Sequence, residues 1–390
     1  MRYIFIIVLL ATLCFSKTDQ SKAISQRIHK KLTAIETMIN DRHYKEADAK
    51  LQAMLAEPPA RAIDRAYLYY TAGILHLDQR HFNEAKKYFI MAYDQNAFAE
   101  RGTLTILQMI GSLSMRKRDF KGAVKYYSAY MQLNPKPKKS IYKSLARAHY
   151  RLKEYDRAIA VLQEAVKRLS ADESLYNTLF SYQYEAGRIG DAASTLEQML
   201  RLWPKRQKYY MQLASIYQQM KLPNQALQIM ELCFAQGLLK KENDILRFAS
   251  MLYEAGIPYK AASLLSDSLQ NGSVKKISKN YELLAAFYRE AREDDLQINA
   301  LKKAASYSSS GDNELYIAQL CYDKDNFACM VKYADKAIKK GIKHKGEAYL
   351  LMALGHYGLK NRKEAKSCFT KASKFKATKK SSLQYLQMLK

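Results

Sequence analysis

The chain of 390 residues has little glycine, little proline and a shortage of acidic residues. It contains 14 glycines and 7 prolines, fewer than enzymes built on glycine-rich phosphate-binding loops usually have. No Gly-x-Gly-x-x-Gly, P-loop or Gly-x-Ser-x-Gly motif occurs. Lysine and arginine number 64 against 37 aspartates and glutamates, which gives a formal net charge of +27. With 48% hydrophobic residues, this composition favours a mostly helical folded protein and excludes a wholly disordered one.

Residues that could perform catalysis or bind a metal are also sparse. The seven histidines are scattered, without His-Glu-x-x-His spacing, and no cysteine pair has the spacing of a zinc site. The carboxylates are spread along the chain with no paired arrangement. The sequence therefore predicts that the protein is not an enzyme and needs no cofactor or metal.

The only long hydrophobic run is near the start, in residues 3–15. Thirteen helical residues reach about 20 Å, short of the roughly 30 Å hydrocarbon core of a bilayer. Arg2 before the run and small Ser16 after it are typical of a secretory signal peptide. We predict cleavage after Ser16, so that residues 1–16 are removed and the mature protein is periplasmic. An uncleaved anchor and a lipoprotein acylated at Cys14 are the alternatives. The lipoprotein is less favoured because Leu13 is not small.

A short pattern recurs through the rest of the chain: a bulky residue, two spacers, then a small residue. Its copies end at Ala47, Ala85, Ala123, Ala158, Ala192, Ala226, Ala261, Gln297, Met330 and Ala365. Their spacing of 33 to 38 residues is that of a helical repeat. Twelve positions earlier most copies carry a second small residue, where two helices are expected to cross closely: Gly73, Gly111, Ala146, Ala214, Ala249, Ala285, Ala318 and Ala353.

On these positions, residues 24–377 are identified as a member of the tetratricopeptide repeat family. The resemblance implies an all-α, right-handed superhelical solenoid of about ten helix-turn-helix repeats within residues 17–377. Leu383, Leu386 and Leu389 lie three apart in residues 378–390, which predicts a final helix that caps the array. Roughly twenty-one helices are expected in all.

The first helices of repeats four to six carry polar residues that are expected to face the concave groove. These are Lys143, Arg147, Tyr150, Asn177, Thr178, Lys208 and Gln212. The set is similar to the carboxylate clamp of peptide-binding tetratricopeptide domains, in which Lys143 and Lys208 match by type and position. Arg147 and Thr178 stand where that family has asparagine, and Gln212 replaces a basic residue. We predict a partner-binding groove for an acidic or extended segment; a solvated polar face is the alternative.

Lysines and arginines crowd the connections between repeats and predict a basic rim along one edge. Its representatives are Lys275, Lys276, Lys339, Lys340, Lys374 and Lys376. An anionic envelope polymer or lipid is the expected ligand, and nucleic acid is not, because the protein is expected to be exported. Cations also favour helix C-termini through the backbone dipole, which is the competing explanation.

The four cysteines beyond residue 16 leave the disulfide pattern open. Cys233 is expected in the core. Cys321 should lie on the inner face of a first helix, whereas Cys329 is expected to point outward from the partner helix, which disfavours a bond between them. His76, His149 and His356 share one repeat position and are expected to be packed structural residues.

Longer strings in the C-terminal half include GIPYKAA at 256–262, NYELLAA at 280–286 and GEAYLL at 346–351. Over about residues 205–389 they resemble tetratricopeptide proteins encoded beside TonB–ExbB–ExbD energy-transducing systems in gammaproteobacteria. The resemblance implies a non-enzymatic periplasmic scaffold, accessory to uptake, whose partners are TonB-type or ExbB-type components. The alternative is an envelope-assembly adaptor that binds peptidoglycan or lipid through the basic rim.

Overall fold

The computed structural model describes residues 23–389, so the predicted signal peptide lies outside the described residues. Within that range the chain forms twenty-one α-helices and no strand. In chain order these are α1 (Gln26–Asn40), α2 (Tyr44–Ala56), α3 (Ala62–Asp78), α4 (Phe82–Asp94), α5 (Glu100–Arg116), α6 (Phe120–Leu133), α7 (Lys139–Arg151), α8 (Tyr155–Arg168), α9 (Glu173–Glu185), α10 (Ile189–Leu202), α11 (Gln207–Gln219), α12 (Pro223–Ala235), α13 (Glu242–Glu254), α14 (Pro258–Gln270), α15 (Ser278–Glu290), α16 (Asp294–Tyr307), α17 (Asp312–Asp323), α18 (Phe327–Lys340), α19 (Lys345–Gly358), α20 (Arg362–Ala372) and α21 (Lys379–Met388).

The helices pair into ten helical hairpins followed by one final helix, which confirms the predicted all-α repeat solenoid. The chain divides into two compact units, Met1–Leu202 and Trp203–Lys390. The described part of the first unit holds the five hairpins α1–α10. The second holds the five hairpins α11–α20 and α21. None of the helices in residues 23–389 is long and apolar enough to cross a membrane.

The turn inside each hairpin contains one residue in the left-handed backbone region. Only Gly187 and Gly256 are glycines, and the other eight, with φ between 51° and 65°, are Arg42, Arg80, Arg118, Lys153, Lys221, Arg292, Asp325 and Lys360. In the first hairpin the N–H of His43 donates to the carbonyl of Met38 at 2.8 Å, the helix-ending bond pattern that normally favours glycine. The chain therefore makes ten such turns with little glycine.

The predicted helix crossings are tightly packed. Ala47, Ala85 and their equivalents are fully buried, including the weaker copies Gln297 and Met330, and so are the small residues twelve positions earlier. At Gly73 a Cβ atom would lie 2.7 Å from two ring atoms of Phe89 in the second helix of the same repeat. The two helices can pack this closely only because glycine has no side chain at this position.

The capping helix forms where it was predicted, but its leucines do not share one face. Leu386 and Leu389 pack against the buried cluster of the last hairpin, whereas Leu383 is 44% exposed. Three residues span 300° of a helix, so the stripe drifts off the buried side. Tyr385 occupies the remaining contact by stacking on Phe369, with ring centroids 4.9 Å apart.

Cys321 and Cys329 form a disulfide, so the expectation that Cys329 points away was wrong. The N–H of Asn326 donates to the carbonyl of Cys321, and the Asn326 side chain accepts from the N–H of Cys329. This turn brings the two Cα atoms to 5.9 Å, a normal separation for a disulfide. Cys329 lies in the first turn of α18 and therefore faces the end of α17. Cys233 is buried in the core as predicted, and Cys368 is a second buried free thiol.

Enlarging Gly73 should destabilise the first unit. Gly73→Leu forces a side chain into the Phe89 ring, and overpacking of this kind costs about 1–3 kcal/mol of unfolding free energy. The matched control is Gly190→Leu, at a helical position with no atom within 4 Å of a new Cβ. Urea unfolding of the two variants measures the difference. Equal stabilities would contradict the crossing as described.

Glu36, on α1, should make stability depend on pH. Burial raises the pKa of Glu36 from 4.5 to about 7. The folded state therefore holds this proton more tightly than the unfolded chain, and its contribution to stability is lost as pH rises from about 4.5 through 7. Glu36→Gln removes the buried charge and should stabilise the first unit by roughly 1–3 kcal/mol at pH 8, with little effect at pH 5. Thermal unfolding at both pH values tests this, and a gain independent of pH would contradict it.

Candidate functional site

The candidate site is formed by the first helices of repeats four and five, α7 and α9. On α7, Tyr142, Ala146 and His149 are buried against the second helices. This leaves Lys143 and Arg147, one turn apart, on the outward face of the helix. Helix periodicity alone therefore sets two cations on the side of α7 that is not buried.

Polar contacts hold α9 beside α7. The Lys143 Nζ donates to the Ser174 Oγ at 2.8 Å, and Lys139 pairs with Asp172 at 2.6 Å. The Asp172 side chain also accepts from the N–H of Leu175 and so caps α9. One carboxylate thus fixes both the start of α9 and its contact with α7.

Two tyrosines form the floor of the site at the other end of α7. The rings of Tyr150 and Tyr182 stack with centroids 4.3 Å apart. The Tyr150 hydroxyl donates to Glu185, and this hydrogen bond, more than burial, raises the pKa of Tyr150 to about 12. Glu185 also accepts from Ser181 at 3.0 Å. The tyrosine stack is therefore held rigidly and stays neutral.

Arg147 lies between these two ends of the site. It is exposed and makes no ion pair with any residue in 23–389. Burial raises the pKa values of Tyr127 and Tyr182, and the positive charge of Arg147 lowers both, because the guanidinium lies near their hydroxyls. Ser112 and Ser144 hydrogen-bond to Tyr127. An exposed guanidinium without an ion pair can bind a carboxylate in bidentate fashion.

The remaining predicted groove residues contribute less to this arrangement. Asn177 and Thr178 donate to carbonyls one turn back on α9, those of Glu173 and Ser174. Lys208 and Gln212 lie on α11, in the second compact unit, so the site is defined by α7 and α9 alone. The Gln212 Oε1 is buried with no hydrogen-bond partner among the described residues.

The sequence interpretation missed three residues of this site: Ser174, Tyr182 and Glu185. On α9, Tyr182 lies four residues after Thr178, and Glu185 lies three residues after Tyr182. Lys143, Arg147 and Tyr150 have the same spacing on α7, so helical periodicity could have predicted Tyr182 and Glu185. Only the three-dimensional structure shows that Tyr182 stacks on Tyr150.

The predicted basic rim divides into paired and unpaired lysines. Lys275 lies 3.9 Å from Glu242, Lys339 pairs with Asp335 at 2.6 Å, and Lys340 donates to buried Glu314 at 2.9 Å. Lys276, Lys374 and Lys376 are exposed and have no ion pair within the described range. The second group alone is available to an anionic ligand.

Two of the three histidines predicted to be packed, His76 and His149, have structural contacts. His149 is buried and its Nδ1 lies 2.6 Å from Glu154, while His76 stacks on Tyr88 at 5.3 Å. Among residues 23–389 no group of three or more His, Cys, Asp or Glu residues is arranged to hold a metal ion.

Two segments match family models of the tetratricopeptide repeat, residues 109–173 and residues 207–235. The chain contains tetratricopeptide repeats. Repeats of this kind are typically non-catalytic scaffolds that use an extended concave surface to bind other proteins. The first matched segment contains all of α7, and the second contains all of α11.

Solved structures of tetratricopeptide proteins are similar to parts of this chain at low identity. The C-terminal part of a repeat-containing protein from Cytophaga hutchinsonii is 15% identical over 71% of this chain and 95% of that one, with a TM-score of 0.38. A tetratricopeptide repeat protein from Parabacteroides merdae is 15% identical over 65% and 99%, with a TM-score of 0.33. YrrB, described as having an unusual peptide-binding site, is 15% identical over 47% and 91%, with a TM-score of 0.35. No curated protein matches this chain.

Proposed function

We propose that this protein is a non-enzymatic scaffold that binds an acidic, extended protein segment on the face formed by α7 and α9. The observation that carries the proposal is the unpaired Arg147 guanidinium, held between Lys143 and the Tyr150–Tyr182 stack. Arginine and tyrosine are the residue types that contribute most to protein interfaces. A segment with one carboxylate at Arg147 and an apolar side chain on the tyrosine stack fits this face.

Charge along the site also gives the bound segment a direction. Lys143 and Lys139 lie at the N-terminal end of α7, and Glu185 lies beside Tyr150 near its C-terminal end. An acidic side chain is attracted to the first end and repelled from the second, because like charges brought together at an interface are unfavourable. The acidic part of the segment is expected near Lys143 and Arg147.

For the cellular role, we propose a periplasmic accessory to a TonB–ExbB–ExbD uptake system. The signal-peptide pattern of residues 1–16 supports export. The Cys321–Cys329 disulfide supports an oxidising compartment, where such bonds persist. The strings in residues 205–389 support the link to TonB-type partners. Neighbouring genes for ExbB, ExbD and TonB would favour this role.

An envelope-assembly adaptor is the second candidate. The observation that favours it is the set of exposed, unpaired lysines Lys276, Lys374 and Lys376. Neighbouring genes for cell-wall enzymes would favour this role.

Reversing the charges of the site should strongly weaken binding of acidic segments. Lys143→Glu with Arg147→Glu replaces attraction by repulsion and should weaken binding of a labelled glutamate-rich peptide about a hundredfold, or 1.4 kcal/mol per charge reversed. Fluorescence anisotropy measures the affinity, with a lysine-rich peptide as the reference ligand.

The matched control is Lys87→Glu with Lys167→Glu, two exposed lysines on the second helices α4 and α8 of the same unit. It makes the same change in net charge and should leave the affinity nearly unchanged. Thermal unfolding should change little in both variants, because all four side chains are at the surface and only Lys143 loses a contact, its hydrogen bond to Ser174. Equal losses of affinity in both variants would show that total charge, and not this site, binds the peptide.

Export can be tested by counting thiols. The protein purified from cells and denatured without reductant should expose two thiols, Cys233 and Cys368, and begin near Lys17. A third reactive thiol would show that Cys14 is retained and unmodified. Four or more would show that the Cys321–Cys329 bond is absent. Mass spectrometry of the alkylated protein gives both the thiol count and the N-terminus.

A further inference from the structure

In the second unit, the connections between repeats from residue 271 onward contain lysines and no arginine. We define the lysine edge as the loops 271–277, 308–311, 341–344 and 373–378, together with one helix turn on either side of each loop. The basic side chains there include Lys276, Lys343, Lys374 and Lys376, and no arginine occurs in these segments. Beyond Lys275 the arginines are Arg289, Arg292 and Arg362. They lie next to the turns inside hairpins and not in the connections between repeats.

Contacts between successive loops make this edge continuous within the unit. Asn313, at the start of α17, donates to Ser278 at the start of α15, at 3.2 Å. The N–H of Gly311 donates to the carbonyl of Gly341 at 3.1 Å. At Gly346 a Cβ atom would lie 2.6 Å from Phe375, so the last two loops also touch. Lysines in neighbouring loops therefore stand on one surface.

The charge of the edge is only partly neutralised. Glu314 is buried and pairs with Lys340, and the Asp312 carboxylate accepts a hydrogen bond from the Ser310 hydroxyl. Lys276, Lys374 and Lys376 make no ion pair among the described residues. On the hairpin-turn side of the same unit, by contrast, Lys324 pairs with both Asp294 and Asp295, at 3.1 and 3.4 Å. Acidic side chains thus accompany cations on the hairpin-turn side, whereas Lys276, Lys374 and Lys376 have no such partner among the described residues.

Two apolar side chains project among these lysines. Ile277 is 44% exposed and Tyr307 is 49% exposed. Tyr281 stacks on Tyr307 with ring centroids 5.6 Å apart, which fixes the tyrosine at the end of α16. Aromatic and aliphatic side chains beside lysines are the composition of surfaces that lie in the headgroup region of a bilayer.

We propose that the lysine edge docks the second unit on a bilayer surface containing anionic phospholipid. The lysine ammonium is a hydrated point charge that is attracted to many anionic headgroups without a fixed geometry. Bidentate pairing with one carboxylate is the property of arginine. Ile277 and Tyr307 insert at headgroup depth beside the lysines. The inference rests on the basic-rim candidate function and does not involve α7 or α9, so it holds or fails independently of the acidic-segment site.

The test uses the chain from Lys17, which contains every described residue and lacks the apolar run at 3–15. Binding is measured by vesicle sedimentation with phosphatidylglycerol and phosphatidylcholine in about a 1:2 ratio, and with phosphatidylcholine alone. Lys276→Gln, Lys374→Gln and Lys376→Gln together should weaken binding to the anionic vesicles about a hundredfold, at roughly fivefold for each lysine. Binding should also weaken as salt is raised.

The matched control is Lys221→Gln, Lys360→Gln and Lys363→Gln, which removes three lysines from the hairpin-turn side of the same unit. It should bind as the parent does, and so should the Lys143→Glu, Arg147→Glu variant. A further variant, Ile277→Ser with Tyr307→Ser, should weaken vesicle binding with no change in charge.

Three results would overturn the proposal. Equal losses in both lysine triples would mean that total charge drives adsorption. An unchanged vesicle affinity in the Ile277→Ser, Tyr307→Ser variant would show that the apolar side chains do not insert and that charge alone adsorbs the protein. Equal binding to both kinds of vesicle would exclude recognition of anionic lipid. Loss of acidic-peptide binding with intact vesicle binding would reject only the α7–α9 site.

Discussion

The close crossing of the two helices in each repeat is the constraint on which the rest of this structure depends. Alanine or glycine is fully buried at nearly every crossing, and Phe89 packs directly against Gly73. A larger residue would separate the helices and lose the dispersion contacts that hold each hairpin together. Each hairpin buries the inner faces of its own two helices and packs against the adjacent hairpins. The stability of such an array is therefore approximately a sum of the contributions of single repeats and of the interfaces between neighbours.

This crossing also decides which residues are free for function. Once Tyr142, Ala146 and His149 face the interior, Lys143 and Arg147 must face outward, since helix periodicity allows no other arrangement. The same constraint confines the connections between repeats to one edge of the second unit. The α7–α9 site and the lysine edge thus both follow from the way the helices pack. They differ in composition, because the site presents arginine and tyrosine and the edge presents lysine.

Charge pairing separates structural cations from those available to a ligand. Lys139 and Lys275 bridge successive repeats through Asp172 and Glu242. Lys340 pairs with Glu314 of its own repeat and donates to the carbonyl of Ala305 in the preceding one. Lysines that bridge repeats in this way contribute to the geometry of the array. Arg147, Lys276 and Lys374 have no such partner among the described residues, and their charge remains available at the surface. The distinction explains why only part of a basic sequence pattern can serve as a binding surface.

The sequence by itself determined the helical hairpins, their number and their crossings, because the 34-residue period and the small residues at 47, 73 and their equivalents are local signals that repeat in phase. It also predicted that Lys143 and Arg147 face away from the packed interior, where the structure places them. Only the tertiary structure decided which side chains meet between elements. The Tyr150–Tyr182 stack, the pairing of Lys340 with Glu314 and the Cys321–Cys329 bond each join residues on different helices. Such contacts depend on the rotation and offset of neighbouring helices by a few ångströms. A pattern along one chain segment carries no information about that offset, which is set by how side chains of both helices interlock.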